Sequence, residues 1–316
     1  MIESQFPSLK DIVDCLKNHY SIEVKSITPL SDGADMNAAT YKAQTHDKSY
    51  FVKLKRDHEN TTILDLLHSA GVQNIILPIH SMHIENYSLT IFPFIEGVNG
   101  FTKRLTDDQW IMLGKTLRQI HDIEVPSSVP INRETFSPKW RQIVRSLPTE
   151  PHDNLSSDFL NFMKERQSVI QRLIHRAEQL SHTIKNQKLV LCHSDIHGGN
   201  VLLTHNNIYI VDWDEPIMAP KERDLMFIGG GVANVWNEPQ EEILFYKGYG
   251  STDIDIPLLT YYRHERIVQD IAEFGQALLF PTSHNKAEMY QHFVSMFDPN
   301  GVIDIAFKTD SRLTDV

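Results

Sequence analysis

The stretch that decides the fold is His193-Ser194-Asp195-Ile196-His197-Gly198-Gly199-Asn200, followed by Ile210-Val211-Asp212-Trp213-Asp214. Short runs of aliphatic and β-branched residues flank these segments, at Leu189 to Cys192, Val201 to Leu203 and Ile208 to Val211. Runs of this length and composition predict short strands. The first polar segment is therefore expected to form a loop between two strands of a small sheet.

Three polar side chains in these segments match the groups that transfer a phosphoryl group from a metal-bound nucleotide. Asp195 is followed five residues later by Asn200, and Asp212 lies twelve residues beyond that. This spacing is H-x-D-x-x-x-x-N followed by D-x-x, the catalytic-loop pattern of kinases. We predict that Asp195 orients the acceptor hydroxyl and receives its proton, and that Asn200 and Asp212 bind Mg²⁺. Because both neighbouring strands end at one edge, the three side chains are expected to converge.

His193 and His197 allow a second interpretation, because H-x-x-x-H is also a spacing of metal ligands. Such a pair binds a metal when both imidazoles lie on one face of a helix. Here a strand precedes the segment and Gly198-Gly199 follows His197, which disfavours a continuous helix. We expect the histidines to hold the loop through hydrogen bonds. A metallohydrolase is the alternative that tightly bound zinc would reveal.

The first third of the chain has the pattern of a small sheet that carries one helix. Four segments predict strands, namely Thr40 to Ala43, Ser49 to Leu54, Ile75 to Ile79 and Ser88 to Phe92. The isoleucines and leucines from Ile63 to Leu67, stopped by Gly71, predict a short helix.

After residue 95 the apolar residues recur at helical spacing. Thr106-Asp107-Asp108-Gln109 is a capping-box start for one helix. A second, longer helix is predicted from Phe159 to Leu180, and a third from Pro257 to Leu278. The expected fold is α+β, with a small β-rich N-terminal lobe at residues 1–95 and a larger, mainly helical C-terminal lobe at residues 96–316.

Composition limits the partners. The 316 residues carry a formal net charge of −11 and show no basic patch, so nucleic-acid binding is not expected. An acidic surface favours a cationic small molecule instead. Cys15 and Cys192 are the two cysteines, far apart and without a C-x-x-C, which favours a reducing compartment. No obligate protein partner is evident.

No segment has the character of a signal peptide or a membrane span. The N-terminal residues lack a basic stretch followed by an apolar core. The longest apolar run, Leu89 to Ile95, is interrupted by Pro93. A soluble, cytoplasmic protein is therefore expected.

The nucleotide phosphates are predicted to contact residues of the first third. Lys53 ends the apolar run Tyr50-Phe51-Val52, as the phosphate-binding lysine of kinases does. Lys55 lies on the same face by strand alternation and is the competitor. The acidic partner of Lys53 is predicted on the following helix, at Glu59 or alternatively at Asp65. The turn that contains Gly33 is predicted to cover the phosphates.

The adenine is predicted to bind to backbone groups near Phe92, Phe94 and Ile95, where the two lobes join. No G-x-x-x-x-G-K-[ST] occurs, which excludes the P-loop class. Gly229-Gly230-Gly231 does not follow the dinucleotide pattern G-x-G-x-x-G, so we expect a turn or a close packing contact there.

His193 to Asn200, together with Asp212-Trp213-Asp214, resembles the aminoglycoside phosphotransferase family, which has a protein-kinase-like bilobal fold. The segments Pro220 to Gly231 and Tyr261 to Val268 look most like the spectinomycin phosphotransferase branch. The resemblance implies that the γ-phosphoryl group of ATP is transferred, with Mg²⁺, to a hydroxyl of an aminocyclitol antibiotic, most closely spectinomycin. The resemblance also implies that Asp195 is the base, that Asn200 and Asp212 are metal ligands, and that Lys53 contacts the phosphates.

Two departures from the protein-kinase pattern exclude a protein substrate. The third position of D-F-G is Asp214, and no A-P-E segment follows. Asp214 is predicted to assist the metal or to face the substrate. A cationic aminocyclitol needs acidic and hydrogen-bonding partners in the helical lobe, for which the candidates are Asn234, Trp236, Glu265, Asp270 and Asp298.

The alternative function is that of a metabolic kinase of the same fold, acting on choline, an amino alcohol or a sugar, because the catalytic-loop residues handle phosphate and not the acceptor. A nucleotide-binding module without catalysis is a further alternative. The presence together of Lys53, Asp195, Asn200 and Asp212 argues against it.

Overall fold

The computed structural model describes residues 6–30, 38–56, 61–84, 86–280 and 285–313. The chain divides into two compact units. The N-terminal unit comprises Met1–Val98 and Tyr209–Asp214, and the C-terminal unit comprises Asn99–Ile208 and Glu215–Val316. Among the described residues, every helix is too short or too polar to span a bilayer.

A five-stranded sheet and two helices form the described part of the N-terminal unit. Its elements are α1 (Leu9–Tyr20), β1 (Ser26–Pro29), β2 (Ala38–Gln44), β3 (Ser49–Arg56), α2 (Thr62–Ser69), β4 (His80–Ile84) and β5 (Tyr87–Pro93). The strands are ordered β1-β2-β3-β5-β4, and all neighbouring pairs are antiparallel. In the register of β3, Lys53 lies opposite Thr40 on β2 and Thr90 on β5.

Helix α1 is not among the predicted elements, although the sequence carries its signals. Ser8 and Asp11 form a reciprocal capping box at its start. Ile12, Cys15 and Leu16 recur at helical spacing and are buried. They pack into one apolar core with the inward residues of the sheet. In the N-terminal unit, one helix therefore precedes the β2–β3 hairpin in the sequence and another follows it.

The strand predicted at Ile75 to Ile79 is wrong. Ile75 forms an isolated parallel bridge with Ile210, Ile79 N donates to Ile91 O on β5 (2.7 Å), and the strand itself begins at His80. Pro78 has no amide hydrogen and cannot donate to a ladder, which explains the late start. The bridge, with the bond from Ile210 N to Asn74 O (2.8 Å), attaches the segment Tyr209–Asp214 to the N-terminal unit.

The C-terminal unit is mainly helical. The α-helices of its described residues are α3 (Asp107–His121), α4 (Lys139–Arg145), α5 (Asn154–Glu165), α6 (Gln167–Thr183), α7 (Glu222–Leu225), α8 (Pro239–Tyr249), α9 (Ile256–Leu279), α10 (Lys286–Ser295) and α11 (Val302–Ser311). Short strands accompany them, namely β7 (Asn132–Arg133), β8 (Val190–Cys192), β9 (Val201–Leu203) and β11 (Ile217–Ala219). Two further strands, β6 (Val98–Asn99) and β10 (Ile208–Ile210), fall where the chain passes from one unit to the other. β11 pairs in parallel with β7 and antiparallel with β8.

The helix predicted from Phe159 to Leu180 is two helices, α5 and α6, which meet at Arg166. Residues 164–168 are all exposed, so packing against the core does not keep the two helices continuous at this point. The helices predicted at Thr106 and Pro257 are confirmed. Thr106 and Gln109 form the capping box of α3, and Asp255 caps α9 one turn before Leu258. α9 lies in one apolar core with α5, α6, α10 and α11.

Helices α3 and α8 cross with their backbones in contact. A Cβ on Gly114 would lie 2.1 Å from Phe245 O, and one on Gly248 would lie 2.0 Å from Ile111 O. Only glycine allows two helices to approach so closely. The crossing brings together the last residues of the two helices, His121 and Tyr249.

We predict that Gly248→Ala lowers the free energy of unfolding by about 3 kcal/mol, because the new methyl group must push the two helices apart. The matched control is Gly275→Ala in α9. The three atoms nearest to its Cβ would all belong to the side chain of Leu147, which can move, so we expect a loss of less than about 1 kcal/mol. Urea unfolding of both variants measures the difference. Equal losses would contradict the backbone contact.

Candidate active site

In the loop after β8, the side chain of Asn200 lies next to Asp195. A short 3-10 turn at Gly198–Asn200 closes the loop before β9 begins. Asn200 Nδ2 donates to Asp195 O at 2.9 Å and lies 3.4 Å from Asp195 Oδ2. Because the amide nitrogen faces Asp195, the amide oxygen of Asn200 points away from it.

The residue before Asp195 has an unusual backbone conformation. Ser194 has a φ of 75°, in the left-handed region that non-glycine residues rarely adopt. Asp224 holds it there, since its Oδ1 accepts from Ser194 N (2.7 Å) and its Oδ2 from His193 N (2.9 Å). Ser194 Oγ donates to Glu215 O at 2.8 Å. These bonds fix the backbone that presents Asp195.

Asp224 belongs to a buried polar network that the sequence pattern did not indicate. The residue comes from α7 and is 0% exposed. His121 Nε2 donates to Asp224 Oδ2 at 3.1 Å, and Tyr249 OH lies 2.8 Å from His121 Nδ1. Burial acts to raise the pKa of Asp224, but the hydrogen bond and charge of His121 bring it below its usual range. The crossing of α3 and α8 therefore supports the loop through His121.

Within the described part of the chain, one group of side chains is close enough together to hold a metal ion, namely His121, Cys192 and Asp224. Their ligand atoms are already engaged. Asp224 accepts three N–H groups, and the Cys192 thiol faces the carbonyl oxygens of Ala219 and Pro220 at 3.6 and 3.5 Å. Burial raises the pKa of Cys192 far above its usual range, so the thiol keeps its proton. We assign this cluster a structural role.

Arg266 of α9 is the main partner of Asp195. Its Nη1 lies 2.5 Å from Asp195 Oδ1, and its Nε lies 2.8 Å from Asp270 Oδ1 one helical turn further on. Burial acts to raise the pKa of Asp195, but the positive charge of Arg266 holds it well below its usual range. The carboxylate form of Asp195 is therefore favoured over the protonated form in the folded protein.

The two histidines of the motif hold the loop, as predicted. His193 Nδ1 accepts from Asp195 N (3.3 Å), and His197 Nδ1 accepts from Gly199 N (3.0 Å). A neutral His197 then carries its proton on Nε2, which lies 3.4 Å from Asp195 Oδ2. The ring of His197 also stacks on Phe101 at 5.1 Å. His193 and His197 do not share a helix, so the helical metal pair is absent here.

In the N-terminal unit, two lysines of β3 and two aspartates form a compact charged cluster. Lys53 Nζ lies 2.8 Å from Asp212 Oδ1 and 2.6 Å from Asp214 Oδ1. Lys55 Nζ lies 2.6 Å from Asp214 Oδ2, so both lysines are on the face that strand alternation predicts. Burial acts to raise the pKa of Asp214, but Lys53 and then Lys55 lower it. Asp212 has a φ of 64° and a half-exposed side chain.

The other residues predicted to bind the nucleotide are distributed differently. Gly33 and Glu59 lie outside the described residues. Asp65 is exposed on α2. Phe92 lies in β5, whose last residue is Pro93, and Phe94 and Ile95 follow the strand; Phe92, Phe94 and Ile95 are all partly buried. Phe94 N donates to Ser49 O (3.2 Å), and Lys42 Nζ lies 4.0 Å from the centre of the Phe94 ring.

Of the residues predicted to bind the acceptor in the C-terminal unit, Asp270 is connected to Asp195, through Arg266. Asn234 and Asp298 are exposed, at the end of a 3-10 turn and in the loop between α10 and α11. Trp236 is 4% exposed and packs edge-on against Trp110. Arg266 and Asp270 also line a small, half-open cavity with Met226, Phe227, Gly230, Val232, Arg263, Ile267 and Val302.

Glu265 is buried and lies 3.5 Å from Arg141 Nε, without a hydrogen bond to either carboxylate oxygen within the described residues. Burial raises the pKa of Glu265 to about 7. A carboxyl group whose pKa is raised on folding holds its proton more tightly in the folded state. Its stabilising contribution is complete below pH 4.5, its usual pKa, and is lost as the pH rises towards 7.

We therefore predict that wild type loses about 2 kcal/mol of unfolding free energy relative to Glu265→Gln between pH 5 and pH 8. The amide keeps the shape of the side chain but cannot ionise. Urea unfolding at both pH values gives the two differences. A constant difference between the proteins would show that Glu265 titrates normally.

The donor atoms of Asn200 and Asp212 suit a hard divalent cation. Magnesium prefers carboxylate and carbonyl oxygens, with the remaining positions filled by water and phosphate. Asn200 offers its amide oxygen, and Asp212 keeps Oδ2 beside the Oδ1 that faces Lys53. Each of the two residues, taken by itself, therefore offers the kind of oxygen ligand that Mg²⁺ prefers.

A β-sheet N-terminal unit, a helical C-terminal unit, and an Asp-to-Asn loop after a short strand define a phosphotransferase with a kinase-like fold. Residues 26–250 match the Phosphotransferase enzyme family, and the chain belongs to that family. No curated protein sequence matches the chain significantly.

Two solved structures of spectinomycin phosphotransferase APH(9)-Ia are similar to the chain along almost its whole length. The complex with ADP and spectinomycin is 45% identical, with 97% of this chain and 99% of that chain covered and a TM-score of 0.92. The AMP-bound complex is also 45% identical, with 95% and 98% covered and a TM-score of 0.87. An ethanolamine kinase of Plasmodium vivax, 16% identical with 93% and 91% covered, has a TM-score of 0.61 and shares the fold.

Proposed function

We propose that this protein transfers the γ-phosphoryl group of ATP to a hydroxyl group of spectinomycin or a closely related aminocyclitol. The observation that carries the proposal is the 45% identity, over 97% of this chain, to a phosphotransferase whose structure contains ADP and spectinomycin. The pairing of Asp195 with Asn200 supports the same reaction. The structural similarity to ethanolamine kinase, at 16% identity and a TM-score of 0.61, supports the fold alone and does not identify the acceptor.

Asp195 is proposed to receive the proton of the acceptor hydroxyl. As the acceptor oxygen bonds to the γ-phosphorus, the bond from that phosphorus to the bridging oxygen breaks, and ADP leaves with the electron pair. The low pKa of Asp195 means that it orients the hydroxyl first and takes the proton late. This order suits a transition state in which the phosphoryl group is loosely bound to both oxygens.

Asn200 and Asp212 are the proposed ligands of Mg²⁺, and Lys53 the proposed contact to the α and β phosphates. When bound, the cation offsets the charge that develops on the phosphate oxygens. The ion pairs from Lys53 to Asp212 and Asp214 hold its ammonium group in one place. We also propose backbone contacts from residues near Phe94 to the adenine, and Gly33 and Glu59 as further nucleotide contacts.

The acceptor is proposed to be cationic. Asp270 has a second carboxylate oxygen beside the one that accepts from Arg266, and it lines the cavity together with Phe227. The formal net charge of −11 adds a long-range attraction for a cation. On the sequence pattern alone, we also propose contacts to the acceptor from Asp214, Asn234, Trp236, Glu265 and Asp298.

The cysteines support a proposed cytoplasmic location. Cys15 and Cys192 are both free and buried, one in each unit. Neither forms a disulfide, which agrees with a reducing compartment.

A panel of acceptors tests the proposal. ADP formation is measured with spectinomycin, an aminoglycoside, choline, ethanolamine and a hexose, each with and without Mg²⁺. We expect turnover with spectinomycin that EDTA abolishes and added Mg²⁺ restores. Turnover with choline or ethanolamine and none with spectinomycin would replace the proposal by the metabolic-kinase alternative. Tightly bound zinc in the purified protein would favour a metallohydrolase.

A further inference from the structure

Arg266 bridges two carboxylates in a geometry that only an arginine can make. Its Nη1 faces Asp195 and its Nε faces Asp270, at 2.5 and 2.8 Å. These donors belong to one rigid plane, so the position of Asp270 fixes the direction from which Asp195 is held. A lysine has a single nitrogen and cannot fix that direction.

The bridge is shielded from water on most sides. The side chains of Arg266 and Asp270 are 17% and 18% exposed, whereas that of Asp195 is 39% exposed. The guanidinium carbon lies 5.4 Å from the centre of the Phe227 ring. An ion pair anchored in this way keeps its geometry better than a surface pair between mobile side chains.

The two oxygens of Asp195 have different partners. Oδ1 carries the short bond to Arg266, whereas the polar contacts of Oδ2 with the described residues are long, at 3.4 Å to Asn200 Nδ2 and to His197 Nε2. Oδ2 is therefore the oxygen that can accept a stronger hydrogen bond from an incoming hydroxyl. Its direction follows from the bond at Oδ1, because the carboxylate is planar.

We propose that Arg266 is a positioning residue for phosphoryl transfer: it fixes Asp195 through Oδ1 and thereby aims Oδ2 at the acceptor hydroxyl, with Asp270 holding the guanidinium in plane. The inference rests on the proposed function, since it needs Asp195 to be the group that receives the acceptor proton. Arg266 acts through Asp195 and is not assigned a contact with the nucleotide.

The test compares four variants with the acceptor that wild type uses. Arg266→Gln should lower kcat about 100-fold, because a displacement of the reacting group by about 1 Å has an effect of that size. The dissociation constant for ADP should stay within about twofold of wild type, since binding of nucleotide does not involve the bridge. Arg266→Lys restores the charge without the bridge and should recover less than one tenth of the lost kcat.

Chemical rescue separates positioning from folding. Added guanidinium ion, at concentrations below those that unfold the protein, should raise the kcat of Arg266→Ala by about tenfold or more, because the ion can occupy the vacated plane. Asp270→Asn should lower kcat about tenfold at saturating acceptor while Arg266 itself is intact, because the guanidinium loses its anchor; loss of the proposed contact from Asp270 to the acceptor would instead raise KM. This variant keeps the inference testable if the Arg266 variants fold poorly.

Arg176→Gln is the matched control. Arg176 Nε lies 2.7 Å from Asp310 Oδ1, a partly buried arginine–aspartate pair in the same unit, joining α6 and α11. Its loss should lower the melting temperature and leave kcat unchanged. The inference is overturned if Arg266→Gln keeps kcat within about threefold, if Arg266→Lys restores kcat fully, or if Arg176→Gln loses as much. If wild type transfers phosphate to no acceptor in the panel, the proposed function fails instead.

Discussion

Replacement of Asp195 by asparagine is expected to lower kcat by a factor of about 10² to 10⁴, the usual contribution of a positioned proton acceptor. The amide keeps the size of the side chain but carries no negative charge to orient the hydroxyl or to take its proton. Its amide oxygen can still accept from Arg266, but its NH₂ group, a donor, then takes the place of the second carboxylate oxygen. Steady-state kinetics with saturating ATP and acceptor measure the effect.

The same variant should bind ADP with an unchanged dissociation constant, because Lys53, Asn200 and Asp212 remain in place. The control is Asp122→Asn, which removes an exposed carboxylate paired with Arg118 on α3. That change should leave kcat unaltered. If Asp195→Asn keeps more than about a tenth of wild-type kcat, Asp195 does not act as the proton acceptor.

Asp224→Asn should lower the free energy of unfolding by about 3 to 5 kcal/mol, the range for removing one charge from a buried, fully bonded pair. Three N–H groups converge on the two oxygens of this carboxylate, from His193, Ser194 and His121. Asparagine has one oxygen, so at least one donor loses its partner in a fully buried place. Urea unfolding gives the difference from wild type.

The loss should be accompanied by lower kcat in the folded fraction, because the left-handed conformation of Ser194 loses a bond that holds it. Asp304→Asn, which removes a surface carboxylate paired with Lys308, should cost less than about 0.5 kcal/mol. A cost below about 1 kcal/mol for Asp224→Asn would mean that the network does not support the loop.

Local patterns predicted the local structure well. The capping box at Thr106, the proline at the start of α9 and the short strands around Asp195 all lie where the sequence indicates them. The pairing of Asp195 with Asn200 depends on five residues of one loop, so spacing alone is informative. Helix α1 could also have been predicted from the sequence, since Ser8 and Asp11 form the same type of capping box.

Contacts between distant parts of the chain could not be predicted in this way. Arg266 is 71 residues from Asp195, and Asp224 is 30 residues from Ser194, so no periodicity relates them. The pairing of Lys55 with Asp214 spans 159 residues. The helix break at Arg166 lies in an exposed turn. The apolar spacing of the sequence predicts helices on both sides of this turn, but it does not show that the turn is left out of the core.

The most direct test of the account follows the γ-phosphorus of labelled ATP in a single turnover with spectinomycin, for wild type and Asp195→Asn side by side. We expect the label to appear on a hydroxyl of spectinomycin with wild type, and to remain on ATP with the variant over the same time. Label released only as inorganic phosphate, or transferred equally by both proteins, would contradict phosphoryl transfer to an aminocyclitol assisted by Asp195.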